Sequence, residues 1–231
     1  MRTKVLLCAA ALAASVASSM ADGNVYSINV VGYVNLTMNQ GPARYTCFAN
    51  PMDNSALQTG GNNLTNFFLN PPVGSTIAPY NQSTAQYGSP AAYTSGKSGA
   101  SWGNTFDLPP GTAFMFGNPA STNMVVTFVG QVQQGTSIPV ATIQAGKHAL
   151  LGSPVPIGGD LTNSIIGLVP HVGDQIALYT SSVGQWGSVS AYTSGKSGAS
   201  WAPNIQIGPG VGFLYYNSGA QITWTSNFTV Q

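Results

Sequence analysis

Hydrophobic and polar residues alternate with a period of two near both ends of the chain. Within residues 25–37 the apolar side chains lie mainly at even positions, and polar side chains such as Ser27 and Asn29 lie at odd positions. Residues 222–231 alternate in the same way. A period of two places one face of a strand against a core and the other face in water. Both segments are therefore predicted to be half-buried antiparallel strands.

Two other segments are apolar without alternation: residues 113–116 read Ala-Phe-Met-Phe and residues 213–216 read Phe-Leu-Tyr-Tyr. Such runs are typical of central strands that are covered on both faces. Proline and glycine turn signals separate these segments at short intervals, as in sandwiches and barrels. One short helix is predicted at residues 63–69 and a second at 161–167. The pattern predicts an all-β protein of antiparallel sheets, sandwich or barrel-like in form.

Part of the sequence is present twice. The ten residues 93–102, YTSGKSGASW, recur letter for letter at 192–201. Two further pairs of segments align at the same offset of 99 residues: VGSTIAPY from Val73 with VGDQIALY from Val172, and PPGTAFMF from Pro109 with GPGVGFLY from Gly208. A repeat of this length predicts two tandem homologous β domains.

The predicted domains are residues 22–127 and 128–231. Residues 124–132 close the first domain and also resemble the opening of the second, which leaves little room for a linker. We therefore expect the two domains to pack closely, with this segment at or near their junction.

Residues 1–21 are predicted to be a cleaved signal peptide. Arg2 and Lys4 precede a short apolar run, and Ser19-Met20-Ala21 has the small-residue pattern of a cleavage site. The apolar run is shorter than the ~20 residues that span a bilayer, and no later segment resembles a transmembrane segment. Removing the two cations changes the formal net charge from +1 to −1. We expect a secreted, extracellular or cell-surface protein.

Composition excludes several classes of partner. Charged residues make up 5% of the chain, against roughly a quarter in ordinary soluble domains. The few cations after residue 21 are scattered, so no basic patch is expected to bind nucleic acid or anionic lipid. Cys47 is the only cysteine after residue 21, which excludes an intramolecular disulfide. It is predicted to be a small buried apolar residue.

The repeated stretch contains Gly-Lys-Ser, the end of a phosphate-binding loop. That loop requires a glycine five positions earlier, where this chain has Ala91 and Ser190. It also requires a following helix, and Ala-Ser-Trp is not a helix start. The stretch is therefore predicted to be a hairpin loop that was copied with its domain, with Lys97 and Lys196 exposed at the tips.

No set of residues predicts catalysis. His148 and His171 are the only histidines, and no G-x-S-x-G sequence is present. Asp107 aligns with Gln206, so a pair of carboxylates is not repeated. One cysteine and five isolated aspartates do not make a zinc or calcium site. We predict no enzymatic activity, no metal and no cofactor.

Aromatic residues are the remaining candidates for recognition. Four in the first repeat, Tyr80, Tyr87, Tyr93 and Trp102, correspond to Tyr179, Trp186, Tyr192 and Trp201 in the second. Aromatic rings among Asn, Gln and Ser can bind sugar rings, and core or cross-strand packing is the alternative. The predicted ligand or partner contacts are Tyr93, Lys97, Trp102, Tyr192, Lys196 and Trp201.

The segment VYSINVVGYVN at residues 25–35, the paired ANP and GSP segments, and the paired PPGTAF and GPGVGF segments resemble a known group of proteins. These are uncharacterised exported two-repeat β proteins of Verrucomicrobia-type bacteria. The resemblance covers residues 22–231 and implies the location and architecture only. Tyr80-Asn81 and Tyr179-Thr180 depart from the Tyr-Trp-Asn-Gly type of turn that the group often carries.

Two functions are consistent with these observations. The first is a non-catalytic structural subunit of a cell envelope, extracellular matrix or filament, which self-associates through the edges of its terminal strands. The second is a bivalent carbohydrate-binding module that holds polysaccharide with the aromatic residues of each repeat.

Overall fold

The computed structural model describes residues 30–41 and 45–230, and this part of the chain is all-β. Its strands pair in antiparallel sheets, and its helix is four residues long. The described residues contain no helix long and apolar enough to cross a membrane. The predicted signal peptide, and residues 25–29 of the first predicted strand, lie outside the described residues.

The elements are numbered in chain order. The first nine strands and the helix are β1 (Val31–Met38), β2 (Tyr45–Ala49), α1 (Leu64–Phe67), β3 (Thr76–Ala78), β4 (Tyr80–Asn81), β5 (Gln86–Tyr87), β6 (Ala91–Gly96), β7 (Gly99–Trp102), β8 (Ala113–Gly117) and β9 (Met124–Gln131). The strands that follow are β10 (Gly135–Ile143), β11 (His148–Leu151), β12 (Gly159–Asp160), β13 (Gln175–Thr180), β14 (Gln185–Trp186), β15 (Ser190–Gly195), β16 (Gly198–Ala202), β17 (Gln206–Ile207), β18 (Phe213–Tyr216) and β19 (Ile222–Phe228).

Two larger sheets have the same strand order. The first sheet runs β2-β8-β3-β6-β7, and the second sheet runs β11-β18-β13-β15-β16, with β14 paired to β13. Two long hairpin-like pairs accompany them: the first ribbon is β1-β9 and the second ribbon is β10-β19. None of these sheets is closed, so the described strands form no barrel.

Neighbouring residues of the central strands face different cores. In β8, Phe114 and Phe116 contact the core between the first sheet and the first ribbon. Ala113 and Met115 contact a separate cluster, the junction core, which also contains Leu150 of the second sheet. Because both faces of β8 are buried, its sequence lacks alternation, and the prediction of a central strand is confirmed.

Inward-facing and exposed side chains alternate along the strands of the two ribbons, as the sequence predicts. In β1 the even positions Val34 and Leu36 pack against the core, and Tyr33 is exposed. In β19, Ile222 and Trp224 are buried in the core beneath the second ribbon.

The helix prediction is confirmed at one position and wrong at the other. α1 begins after Asn63, whose side chain accepts a hydrogen bond from the Thr65 N–H. Residues 161–167 form turns instead. There Asn163 accepts hydrogen bonds from the N–H groups of Ile165 and Ile166, and Gly167 has a φ of 72°. The Gly167 N–H donates to the Asn163 carbonyl at 2.8 Å and closes a single turn. A left-handed residue stops this turn from continuing past Gly167.

The two sheets are joined by reciprocal backbone hydrogen bonds. The Ala49 N–H, at the end of β2, donates to the Gly210 carbonyl ahead of β18 at 2.9 Å. The Gly152 N–H, just after β11, donates to the Gly111 carbonyl ahead of β8 at 3.0 Å. β2 and β11 hold the same place in the two strand orders, as do β8 and β18. The same contact is therefore made twice, once from each sheet.

Small residues let the sheets approach closely. A Cβ atom placed on Gly152 would lie 2.2 Å from the Cβ atom of Ala49. One placed on Gly212 would lie 2.6 Å from Cys47 Sγ and 2.8 Å from Ala113 Cβ. Both positions require glycine, because close-packed interiors do not yield to atoms at these distances.

The whole of strand β9 belongs to the first ribbon, which bears on the predicted domain boundary. It pairs with β1 along its whole length, from Val31 opposite Gln131 to Met38 opposite Met124. The second ribbon begins at Gly135. The predicted domain boundary after residue 127 lies within β9, and the change of pairing partner falls between Gln131 and Gly135.

The junction contact predicts a stability effect. Gly152→Ala should lower the free energy of unfolding by about 2–3 kcal/mol, because the added methyl group overlaps Ala49. The exchanged pair Gly152→Ala with Ala49→Gly moves the methyl group across the junction and should restore most of that loss. Urea unfolding followed by circular dichroism measures both.

Gly103→Ala is the matched control, since the nearest atom to its added Cβ is at an ordinary 3.6 Å; it should change stability by less than about 0.5 kcal/mol. Equal stability of Gly152→Ala and the wild type would contradict the close contact.

Candidate functional site

The predicted contact residues lie on two hairpins, β6-β7 and β15-β16. In each hairpin a two-residue turn containing the lysine joins the strands, and the glycine after the turn, Gly99 or Gly198, has a φ of 106°. The prediction of a glycine-flanked hairpin loop is confirmed. Strand β7 begins at Gly99, so the Gly-Lys-Ser sequence precedes a strand and not the helix that a phosphate loop needs.

The aromatic rings of each hairpin pack against one another. Tyr93 lies opposite Trp102 with ring centres 5.4 Å apart, and Tyr192 lies opposite Trp201 at 5.2 Å. Tyr93 and Trp201 are buried. The Trp102 indole N–H donates to the Phe68 carbonyl at 3.1 Å. These contacts give the rings a cross-strand packing role.

Lys97 and Lys196 are exposed at the hairpin tips. The hairpins form the last two strands of different sheets, so the six predicted residues make two separate groups. Ligand or partner binding by these residues stays a prediction.

A different set of aromatic residues surrounds an open cleft between the two sheets. The cleft has a volume of about 610 Å³. The side nearer the first sheet includes Tyr45, Tyr87 and Met115, and the side nearer the second includes Tyr179, Gln185 and Trp186. We call this the aromatic cleft.

Two edge-to-face ring pairs hold the aromatic residues of the cleft in place. The Tyr80 and Tyr87 ring centres are 5.3 Å apart, and those of Tyr179 and Trp186 are 5.2 Å apart. Burial raises the pKa of Tyr87 to about 12. The sequence identified these four rings, but nothing in it showed that rings from both repeats meet.

A second open feature lies beside strand β9. Antiparallel pairing alternates, and the Val132 N–H donates to the Val30 carbonyl, so even residues of β9 bond to β1 and odd residues point away. The outward N–H of Gln131 donates to the Asp53 carbonyl at 2.7 Å, and the Gln131 carbonyl accepts from the Asp53 N–H at 2.9 Å. Among the described residues, the backbones of the next odd positions, Val125, Thr127 and Val129, have no partner on that side.

An open groove runs along this free edge. We call it the edge groove; its volume is about 480 Å³, and Phe67, Phe68 and Leu69 line it together with residues 124–127 and Val129. Leu69 is 72% exposed and Val125 is 61% exposed.

The equivalent edge of β19 is covered near Asn227 by the turn at residues 165–166. The Asn227 N–H, which corresponds to that of Val129, donates to the Ile165 carbonyl at 2.8 Å. The Trp224 indole N–H donates to the Ile166 carbonyl at 2.7 Å. The segment that contains this turn is longer in the second repeat than its counterpart in the first. Between the aligned positions, Leu64 precedes Val73 by nine residues, whereas Leu161 precedes Val172 by eleven.

The most concentrated polar cluster surrounds Asp174, which is fully buried. Its carboxylate accepts hydrogen bonds from the Tyr215 hydroxyl, from the His171 N–H, and from the N–H and hydroxyl of Ser218. Burial, followed by the bond to Asp174, raises the pKa of the Tyr215 hydroxyl. His171 Nδ1 lies 3.7 Å from the carboxylate. The cluster joins the loop before β13 to the loop after β18.

The first sheet has Ser75 and Phe116 at the positions of Asp174 and Tyr215. The buried phenol and its buried acceptor are therefore present together in the second sheet and replaced together in the first. In the described part of the chain, no group of three or more His, Cys, Asp or Glu side chains is placed to hold a metal ion.

No protein family model, curated protein or solved structure is significantly similar to this chain.

The Asp174 cluster predicts coupled stability effects. Tyr215→Phe and Asp174→Ser should each destabilise the fold by about 1–3 kcal/mol, because each leaves buried polar groups without a partner. The double variant recreates the Ser75 and Phe116 pair of the first sheet. Its loss of unfolding free energy should therefore be smaller than the sum of the two single losses by at least about 1 kcal/mol. A double-mutant cycle in urea measures this coupling, and strict additivity would contradict it.

The thiol of Cys47 is buried, as predicted, and burial raises its pKa. Because thiolate is the reactive form, the native protein should not react with a thiol reagent such as dithiobis(nitrobenzoate). The urea-unfolded chain should release about one equivalent of product per Cys47. Rapid reaction in native buffer would show that the junction core opens.

Proposed function

We propose that this protein is an exported, non-catalytic structural subunit of a cell envelope, extracellular matrix or filament, and that copies associate through the free edge of β9. The observation that carries the proposal is the open β9 edge beside a groove of mixed apolar and amide side chains, in a chain whose equivalent edge on β19 is bonded at Asn227.

The β9 edge has the chemistry for strand addition. Three successive outward-pointing residues, Val125, Thr127 and Val129, offer N–H and C=O groups that have no partner among the described residues. An extended segment can satisfy them as an added strand, and the main-chain bonds supply affinity. The edge groove, which apolar and amide side chains line together, can then accept alternate side chains of the added strand.

The proposed occupant is a strand from a second copy of this chain. The outer face of the first ribbon exposes apolar side chains, with Tyr33 69% and Val31 55% exposed, beside the polar Asn35 and Thr127. The outer face of β19 instead presents Thr223 and Asn227. A formal net charge near zero gives little repulsion between copies. Addition at β9 would cover both the unpaired backbone and part of this apolar surface.

The sequence favoured the edges of the terminal strands at both ends of the chain, and this proposal uses the edge of β9, the strand paired with β1. The terminal strand β19 bonds to β10 on one side and to the turn at Ile165 on the other. It is therefore bonded on both sides at Asn227, and the proposal uses the edge of β9 instead.

The remaining expectations belong to this proposal. Cleavage after residue 21 accounts for export, and the resemblance to exported two-repeat β proteins supports the same location. The equal strand order of the two sheets supports two tandem homologous domains. The alternative, carbohydrate binding at the two hairpins, stays a prediction, and the packing of the hairpin rings does not favour it.

A charge placed on the open edge tests the proposal. Val125→Lys in residues 22–231 should raise the concentration at which the protein associates by at least about tenfold, because a lysine on an edge strand opposes strand addition. Light scattering over a concentration series measures the mass, and negative-stain microscopy shows the form of any polymer.

Thr223→Lys is the matched control, because Thr223 has the corresponding exposed position on β19, whose outer edge is bonded to the turn at Ile165. It should associate like the wild type. A wild type that stays monomeric at every concentration, or equal effects of the two lysines, would overturn the proposal.

A further inference from the structure

We propose that the aromatic cleft is a binding site for a neutral oligosaccharide. The proposal does not depend on self-association, since the cleft and the edge groove share no lining residue.

The absence of charged side chains from the described lining of the cleft disfavours ionic ligands. None of the described residues that line it is charged. An anionic or cationic ligand would lose hydration there without gaining a charged partner, which costs free energy. The described lining therefore favours an uncharged ligand over a nucleotide, a phosphorylated metabolite or an acidic polysaccharide.

The rings of the cleft suit the flat apolar face of a sugar. Tyr87 is 45% exposed and Tyr45 is 40% exposed, so ring surface is available to a ligand. The edge-to-face partners Tyr80 and Tyr179 hold Tyr87 and Trp186 in defined orientations. Rings that are already ordered lose little side-chain entropy on binding.

Uncharged hydrogen-bonding groups lie among the rings. Thr76 and Gln185 line the cleft together with the tyrosine hydroxyls, and they can bond to sugar hydroxyls. The volume of about 610 Å³ lies within the ~300–1,000 Å³ range of ligand sites. An acyl chain would be a poorer occupant, because the cleft is open to water and would leave part of the chain wet.

The test uses residues 22–231 and a panel of uncharged oligosaccharides: cellohexaose, xylohexaose, mannohexaose, maltohexaose and chitohexaose. Isothermal titration calorimetry should detect binding of at least one. Trp186→Ala and Tyr87→Ala should each weaken that binding by at least about tenfold. Circular dichroism and urea unfolding establish that each variant is folded at the assay temperature.

Two milder variants separate binding from folding. Tyr87→Phe keeps the ring and removes one hydroxyl, so it should weaken binding less than Tyr87→Ala. Trp186→Phe should abolish any ligand-dependent change in tryptophan fluorescence that arises in the cleft, while binding by calorimetry persists in part.

The exposed hairpin lysines give the control. Lys97→Ser with Lys196→Ser should leave binding unchanged, because both residues lie outside the cleft. Failure of the whole panel to bind, or unchanged binding in folded Trp186→Ala and Tyr87→Ala, would overturn the proposal. Binding of the uncharged dye Nile red without binding of any sugar would also overturn it, in favour of an apolar ligand.

Discussion

The close backbone contact between the two sheets is the constraint on which the rest of the described structure depends. Ala49 and Gly152 approach so closely that no further methyl group fits between them. Cys47 and Ala113 keep the surrounding surface small. Because residues on either side of these positions face the other cores, a shift at the junction would also move Phe48 and Phe114.

The junction also sets the positions of the surface features. It brings Tyr87 of β5 and Trp186 of β14 to a common cleft. It also buries the thiol of Cys47. The edge groove is set by a different and local cause. It exists because the turn after α1 is two residues shorter than its counterpart, which reaches β19.

Features with a local cause could be predicted from the sequence. Alternation predicted the partly buried even positions of β1, such as Val34, and the buried Trp224 of β19. Continuous apolar residues predicted the central position of β8. The hairpins follow from glycine flanking each turn, with positive φ at Gly99 and Gly198.

Features that depend on long-range packing could not be predicted. The failure of residues 161–167 to form a helix depends on Asn163 and Gly167, and on bonds to β19 that are remote in sequence. The aromatic cleft requires the contact between the sheets, which no local pattern encodes. The freedom of β9 and the coverage of β19 differ although both strands alternate in the same way, because coverage is decided by another segment.

The most direct test of the account compares hydrogen exchange at the two ribbon edges, residue by residue, by nuclear magnetic resonance. In dilute protein the N–H groups of Val125, Thr127 and Val129 should exchange fast, and the Asn227 N–H should exchange slowly because it is bonded to Ile165. Raising the protein concentration should slow exchange at the three β9 positions and leave Asn227 unchanged. Strong protection of the β9 positions in the dilute monomer, or no change with concentration, would contradict the account.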